Sequence, residues 1–325
     1  MAETANIAKM AEILSKGIFG EFLWNRVGPH DRNWTCEETE KHKVPTHPSD
    51  VVFWYEEPYS QARTYINCDL KSYKKETITS EKVKGAIKSL ANSLECAEKS
   101  QSWQSEYTHE HVAQNICGLL FIYNHDGKFD ADFAKRIEGV RSEDLNIPKG
   151  SKLVVLSPAD IFWLNNVKDE ILRMRGGEEL PPRSQCKFFY PHLSKKKNVK
   201  LEKAPAATLE MLTSSWIIMQ YSMLPDAPKN DFVIFYRKRG YEQAEFLYLI
   251  DCLMHYQVLV SGNKVIIKVL DPHQSASAKF KLAIDEYTER CGGGEIGRIL
   301  SNIEFSQMTT VTQTFSEVEI GMRDE

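Results

Sequence analysis

Asp50, Asp69 and Lys71 are the residues of this sequence whose types and spacing suit a chemical step. Asp50 heads the run DVVFWYEE (50–57), and Asp69 stands near the end of ARTYINCDL (62–70). Both runs are rich in β-branched and aromatic residues, the composition of strands. EPYSQ joins them, with Pro58 as a turn residue. An antiparallel hairpin of this kind brings the two carboxylates to the same end. Lys71 follows Asp69 by two positions, and i and i+2 share one face of a strand, so its amine points into the same place. Two carboxylates can converge on one hard divalent ion, Mg²⁺ or Mn²⁺, which takes oxygen ligands. Such an ion neutralises charge on a phosphodiester and activates water. The amine can orient the attacking water or stabilise developing charge. Crowded carboxylates raise each other's pKa, and a cation relieves that repulsion.

The elements that must position these groups follow from hydrophobic spacing. Ile7, Met10, Ile13, Leu14, Ile18 and Phe22 predict a helix over 6–24. Glu21, three residues after Ile18 and seven after Leu14, leans toward its apolar face. Residues 25–46 are polar, carry Pro29 and Pro45, and read as a loop. Val83, Ile87, Leu90, Leu94 and Ala97 predict an amphipathic helix over 80–98 with Ser80 as N-cap. ICGLLFIYN (116–124) and KLVVLS (152–157) read as buried strands, with ADFAKRIEGV (131–140) as a short helix between them. Pro158 and Gly176 mark the ends of a further helix, and QCKFFYPHL (185–193) reads as an edge strand. The C-terminal half is again α/β: strands at 215–223, 231–238 and 264–271, helices at 241–256 and 275–290, and two closing strands within 299–320. No internal repeat is visible.

Pro48-Ser49-Asp50, eighteen residues, then Asp69-Leu70-Lys71 resembles the motif of the PD-(D/E)XK nuclease superfamily. The resemblance covers about residues 6–157 and extends at most to 193. It implies an α/β fold: a restriction-endonuclease-like mixed sheet flanked by helices, followed here by a second, smaller α/β domain. The family's first helix often contributes a glutamate, and Glu21 falls where that acid is expected, as support for the metal or for a second ion. The catalytic set expected from the resemblance is Glu21, Asp50, Asp69 and Lys71, with the three acids as ligands of Mg²⁺ or Mn²⁺. The expected activity is metal-dependent endonucleolytic cleavage, of DNA in preference to RNA, with a role in restriction or anti-phage defence. The rivals are an RNase, or a catalytically silent protein that binds nucleic acid or regulates a partner. The expected domains are 1–193 for the nuclease, a basic linker at 194–207, and 208–325 for recognition, dimerisation or partner binding. An unregulated nuclease harms its host, so a homodimer or a controlling protein partner is expected.

Composition bounds these expectations. With 41 basic against 45 acidic residues and a net charge of −4, any nucleic-acid surface must be a local patch. Lys71, Lys74 and Lys75 form one such cluster beside the proposed site, and Lys195, Lys196, Lys197 and Lys200 another; Lys82 and Lys84 have no assigned place. YRKRGYEQ (236–243) mixes basic and aromatic residues at a strand–helix junction and reads as an ordinary turn or a contact surface. Seven cysteines, none in a CxxC pair, suggest reduced thiols in a cytoplasmic protein. The first residues lack a basic start followed by an apolar core, and no apolar run is long enough to span a membrane. Cys36, His42 and His47 match no familiar zinc spacing and show no fourth ligand, so they read as loop residues; His109 and His111 read likewise. Gly292, Gly294 and Gly297 have G-x-G-x-x-G spacing but follow a helix rather than a strand, which suits a helix C-cap better than a dinucleotide loop.

Overall fold

The computed structural model describes residues 2–109, 112–191, 204–223 and 230–311, with the side chains taken from residue 9 onward. Residue contacts divide the chain at Asn165–Asn166 into two compact units.

The first unit opens with α1 (Ala2–Glu21), which buries Met10, Leu14, Ile18 and Phe19. The segment read as a loop holds four short elements: β1 (Asn25–Val27), β2 (Arg32–Thr35), α2 (Thr39–His42) and β3 (Thr46–Ser49). None exceeds four residues, too few for hydrophobic periodicity to register. β4 (Val51–Glu56) and β5 (Arg63–Tyr73) form the expected hairpin. α3 (Ser80–Ala97) follows, then α4 (Gln101–Tyr107), β6 (Gln114–Asn124), α5 (Ala134–Ile137) and β7 (Leu153–Leu156). The N-cap of α3 is Thr79 rather than Ser80. The Thr79 side chain accepts from the Lys82 N–H at 3.3 Å, while the Ser80 hydroxyl donates to the Lys135 carbonyl. α5 is a single turn, shorter than the segment expected to be helical.

The sheet order is β1-β4-β5-β6-β7. β1, β4 and β5 run antiparallel in succession, whereas β5, β6 and β7 are parallel, so the sheet is mixed and β5 is its central strand. The α3 stripe of Val83, Ile87, Leu90 and Leu94 is buried over β6. Each such side chain contributes roughly 1.5–3 kcal/mol when withdrawn from water. Gly118 allows this approach, because a Cβ there would lie 2.9 Å from Leu94 Cδ1.

α6 (Pro158–Gly176) begins as Pro158 suggests, and Ser157 and Asp160 cap it reciprocally. The Ser157 N–H donates to Asp160 Oδ2 at 2.8 Å, and the Asp160 N–H to Ser157 Oγ at 3.2 Å. The division between the units falls inside this helix. The second unit then contains β8 (Cys186–Phe188), α7 (Leu209–Leu212), β9 (Trp216–Tyr221), β10 (Asp231–Tyr236), α8 (Gln243–His255), β11 (Val265–Val269), α9 (Ala276–Arg290), α10 (Glu295–Ser301) and β12 (Glu304–Gln307). β8 pairs with β9, which is why the division lies ahead of the basic stretch 194–207. Most of that stretch, with its lysines, lies outside the described residues; Ala204, Ala206 and Ala207 at its end are buried. The first of the two closing strands expected near the C-terminus is α10 followed by β12, and residues beyond 311 lie outside the described set. The glycine run caps α9, with Gly292, Gly293 and Gly294 all at positive φ.

The second sheet has the order β8-β9-β10-β11-β12. Its pairings are antiparallel, antiparallel, parallel, parallel, and a helix joins β10 to β11 as α3 joins β5 to β6. The connectivity of the first sheet from its central hairpin onward is therefore repeated. The sequence shows no repeat because the two copies share strand order, not residues.

One polar group lies deep in the second unit. Glu170, 1% exposed, accepts from Arg173 at 2.7 and 2.9 Å and pairs with Lys268 of β11 at 3.1 Å. Glu170→Ala would leave the Lys268 ammonium buried without its acid, and such a loss costs about 3–5 kcal/mol. The urea midpoint of the variant should fall accordingly; a change under about 1 kcal/mol would mean that water or another group takes over the lysine.

Candidate active site

The β4–β5 register pairs Val51 with Cys68, so Asp50, immediately before β4, stands opposite Asp69. Asp50 is held there by two backbone bonds. Its Oδ2 accepts from the Leu70 N–H at 2.6 Å, and its carbonyl accepts from the Asp31 N–H at 2.9 Å. Asp69 is 8% exposed, on the central strand of the sheet. Lys71 shares its face, and the Lys71 Nζ forms an ion pair with Asp69 Oδ1. Cys68, on the alternate face, is buried among core residues as strand alternation requires.

The electrostatics follow from this crowding. Burial, then the neighbouring Asp69, pushes the Asp50 carboxyl up to about 6, against the opposing pull of the Leu70 N–H and Lys71. Burial works against the charge on Lys71, but Asp69 and then Asp50 outweigh it and hold its pKa above the ordinary value. The Cys68 thiol is driven well up by burial and by both aspartates. Asp69 Oδ1 is shielded from water and has no directed hydrogen bond, although Lys71 supplies a charge beside it. Two facing carboxylates, one of them reluctant to ionise, fit a divalent cation held between them.

The structure thus brings Asp50, Asp69 and Lys71 together. Glu21 is the last residue of α1, partly exposed, and α1 packs against β5, the strand of Asp69 and Lys71. The acid whose charge is felt by Asp50 alongside Asp69 is Asp31, at a positive φ of 49° between β1 and β2. Its only signal in the sequence is a Pro-His-Asp turn inside a segment read as a loop. Of the nearby lysines, Lys74 is exposed, Lys75 pairs with Asp130 at 2.7 Å, and the Lys82 amine lies 6.0 Å from the centre of the Tyr73 ring. A cleft of about 1050 Å³ lies by the C-terminal ends of β6 and β7. Asp126, Asp130, Asp132 and Phe133 help line it, whereas Asp50, Asp69 and Lys71 do not.

Residues 1–160 match the family model of the GAPS4 protein PD-(D/E)XK nuclease domain. This part of the chain belongs to the PD-(D/E)XK nuclease superfamily. No curated protein and no solved structure matches the chain. The mixed sheet flanked by helices is the fold expected of a PD-(D/E)XK domain. A nuclease-like function on a nucleic-acid substrate follows from the family, whose members typically use divalent metal ions. In the second sheet, Trp216 pairs with Tyr236, so Ser215 and Arg237 occupy the places that Asp50 and Asp69 hold in the first, and Arg239 that of Lys71. The repeated connectivity therefore carries no acid pair at that end.

Proposed function

We propose that the PD-(D/E)XK domain is a Mg²⁺- or Mn²⁺-dependent endonuclease acting on DNA. The observation that carries this reading is the Asp50–Asp69 pair with Lys71 on the same face of the central strand. Asp50 and Asp69 would hold the cation, and Glu21 would support it or a second ion. The ion would supply charge neutralisation at the scissile phosphate and a more acidic water. Lys71, fixed by Asp69, holds a positive charge toward the site, where it orients the attacking water and meets charge developing on phosphorus oxygens. The Leu70 N–H keeps Asp50 turned toward Asp69. Restriction or defence against foreign DNA is the role that fits, with a second copy or a protein partner restraining the enzyme.

The test is cleavage of supercoiled plasmid and of single-stranded RNA by the full chain with Mg²⁺, Mn²⁺ or EDTA. Metal-dependent nicking and linearisation of plasmid is expected. Cleavage of RNA alone would replace the substrate. Binding without cleavage of either, unchanged by EDTA, would favour the silent binder.

A pH dependence follows from Asp50. Its folded pKa of about 6 lies above its ordinary value, so the protonated form is favoured in the metal-free fold. That contribution to stability is complete below pH ~4 and is lost as pH rises through ~6. A cation must displace this proton, so Mn²⁺ affinity should rise as much as tenfold per pH unit up to about pH 6 and level off above it. Calorimetric titration across this range checks the trend; an affinity flat from pH ~5 to ~7 would remove Asp50 from the ligand set.

A further inference from the structure

Four side chains, three from separate elements and one from a loop, converge just upstream of Asp50. Cys36 follows β2, His42 ends α2, His47 lies in β3, and Cys96 comes from the last turn of α3. All four are buried, at 3%, 8%, 2% and 0% exposure. Their ligand atoms all lie within 4.8 Å of one another. The Sγ atoms of Cys36 and Cys96 are 3.8 Å apart. His42 Nδ1 lies 3.4 Å from each sulfur and 3.3 Å from His47 Nε2.

These four separations match edges of a metal tetrahedron. Zinc–sulfur bonds of about 2.3 Å and zinc–nitrogen bonds of about 2.05 Å set tetrahedral edges of roughly 3.8 Å for S–S, 3.5 Å for S–N and 3.3 Å for N–N. Hydrogen bonding alone does not account for the cluster. His42 Nε2 lies 3.1 Å from Glu95 Oε2, so it carries the proton and donates to the carboxylate. The Nδ1 lone pair is then a single acceptor facing two thiols and a second imidazole. The Glu95 contact is also the carboxylate partner that orients a metal-bound histidine, and Lys41 anchors Glu95 in turn at 2.8 Å.

We propose that Cys36, His42, His47 and Cys96 bind a structural zinc ion. Four protein ligands close the coordination shell, which is the pattern of a structural rather than a catalytic site. Two thiolates select zinc, whereas the oxygens of Asp50 and Asp69 suit a harder ion, so the two metals are not interchangeable. The ion ties the two-stranded β2–β3 excursion to α3. His47 stands three residues before Asp50, and Ser49 between them accepts from the indole N–H groups of Trp34 and Trp103, each at 3.1 Å. The zinc thereby fixes the approach of the Pro48-Ser49-Asp50 segment to β4. The expectation that Cys36, His42 and His47 are loop residues holds for Cys36, between β2 and α2, but not for His42 in α2 or His47 in β3, and all three are buried. The fourth ligand is 49 residues beyond His47, in a helix, where local spacing cannot show it.

Elemental analysis of the full chain, purified without chelator under reducing conditions, should give about one zinc per chain. Replacement with Co²⁺ should give intense visible bands of a tetrahedral ion and thiolate-to-metal charge transfer in the near ultraviolet. Cys96→Ser and His47→Ala should lower zinc below about a tenth per chain, while Cys291→Ser, an exposed cysteine of the second unit, keeps it. Asp69→Asn should also keep its zinc, so this site stands or falls apart from the nuclease reading. A wild-type chain that holds no zinc after loading and dialysis would overturn the proposal. So would a cobalt spectrum without thiolate charge transfer, or a Cys36–Cys96 disulfide in the reduced preparation. None of these measurements depends on a variant that folds.

Discussion

Asp69→Asn is expected to lower the single-turnover cleavage rate by at least about 10³-fold, or ~4 kcal/mol of barrier. The change keeps the shape of the side chain and removes its charge. It takes away one of two oxygen ligands and the partner that fixes Lys71. It also removes the neighbour that, after burial, does most to raise the Asp50 pKa. The metal-free variant should therefore unfold at a urea concentration no lower than wild type, which separates lost chemistry from lost fold. A rate within tenfold of wild type would show that Asp69 is not at the reacting centre.

Lys71→Met separates the roles within the site. Removing a cation next to two carboxylates favours metal binding, so the Mn²⁺ affinity should be equal or tighter. Cleavage should nevertheless fall by about 10²–10³-fold, the scale of losing one charged group that acts on the transition state. Lys71→Arg should not restore the rate, because a planar fork cannot present a point charge in the same place. Burst kinetics alongside calorimetry read the two effects independently. Weaker metal binding with unaltered cleavage would place Lys71 among structural ion pairs.

The sequence reveals this site because strand chemistry is strictly local. Alternation puts Lys71 on the face of Asp69, and the hairpin puts Asp50 opposite, without any knowledge of the rest of the chain. Helix ends marked by Pro158 and Gly176 are legible for the same reason. What escapes is non-local or too short. β1, β2, α2 and β3 are each stabilised by neighbours rather than by their own periodicity. Asp31 reaches Asp50 only because β2 pairs with β3, which carries residues 46–49 to the head of β4. Cys96 shows its ligand role only once α3 is laid beside β3. Lys268 in KVIIKVLD breaks a hydrophobic strand for a reason visible only when α6 supplies Glu170. The repeated connectivity of the second sheet is a property of pairing order, and sequence periodicity does not carry it.

Calorimetric titration of Mn²⁺ into the zinc-loaded full chain, beside Asp50→Asn and Asp69→Asn, tests the proposed metal centre most directly and needs neither substrate nor partner. Binding in wild type that is abolished in both variants, with zinc content unchanged, is the expected result. Identical isotherms for all three proteins would contradict it, and would leave Asp50, Asp69 and Lys71 as charges on a strand end.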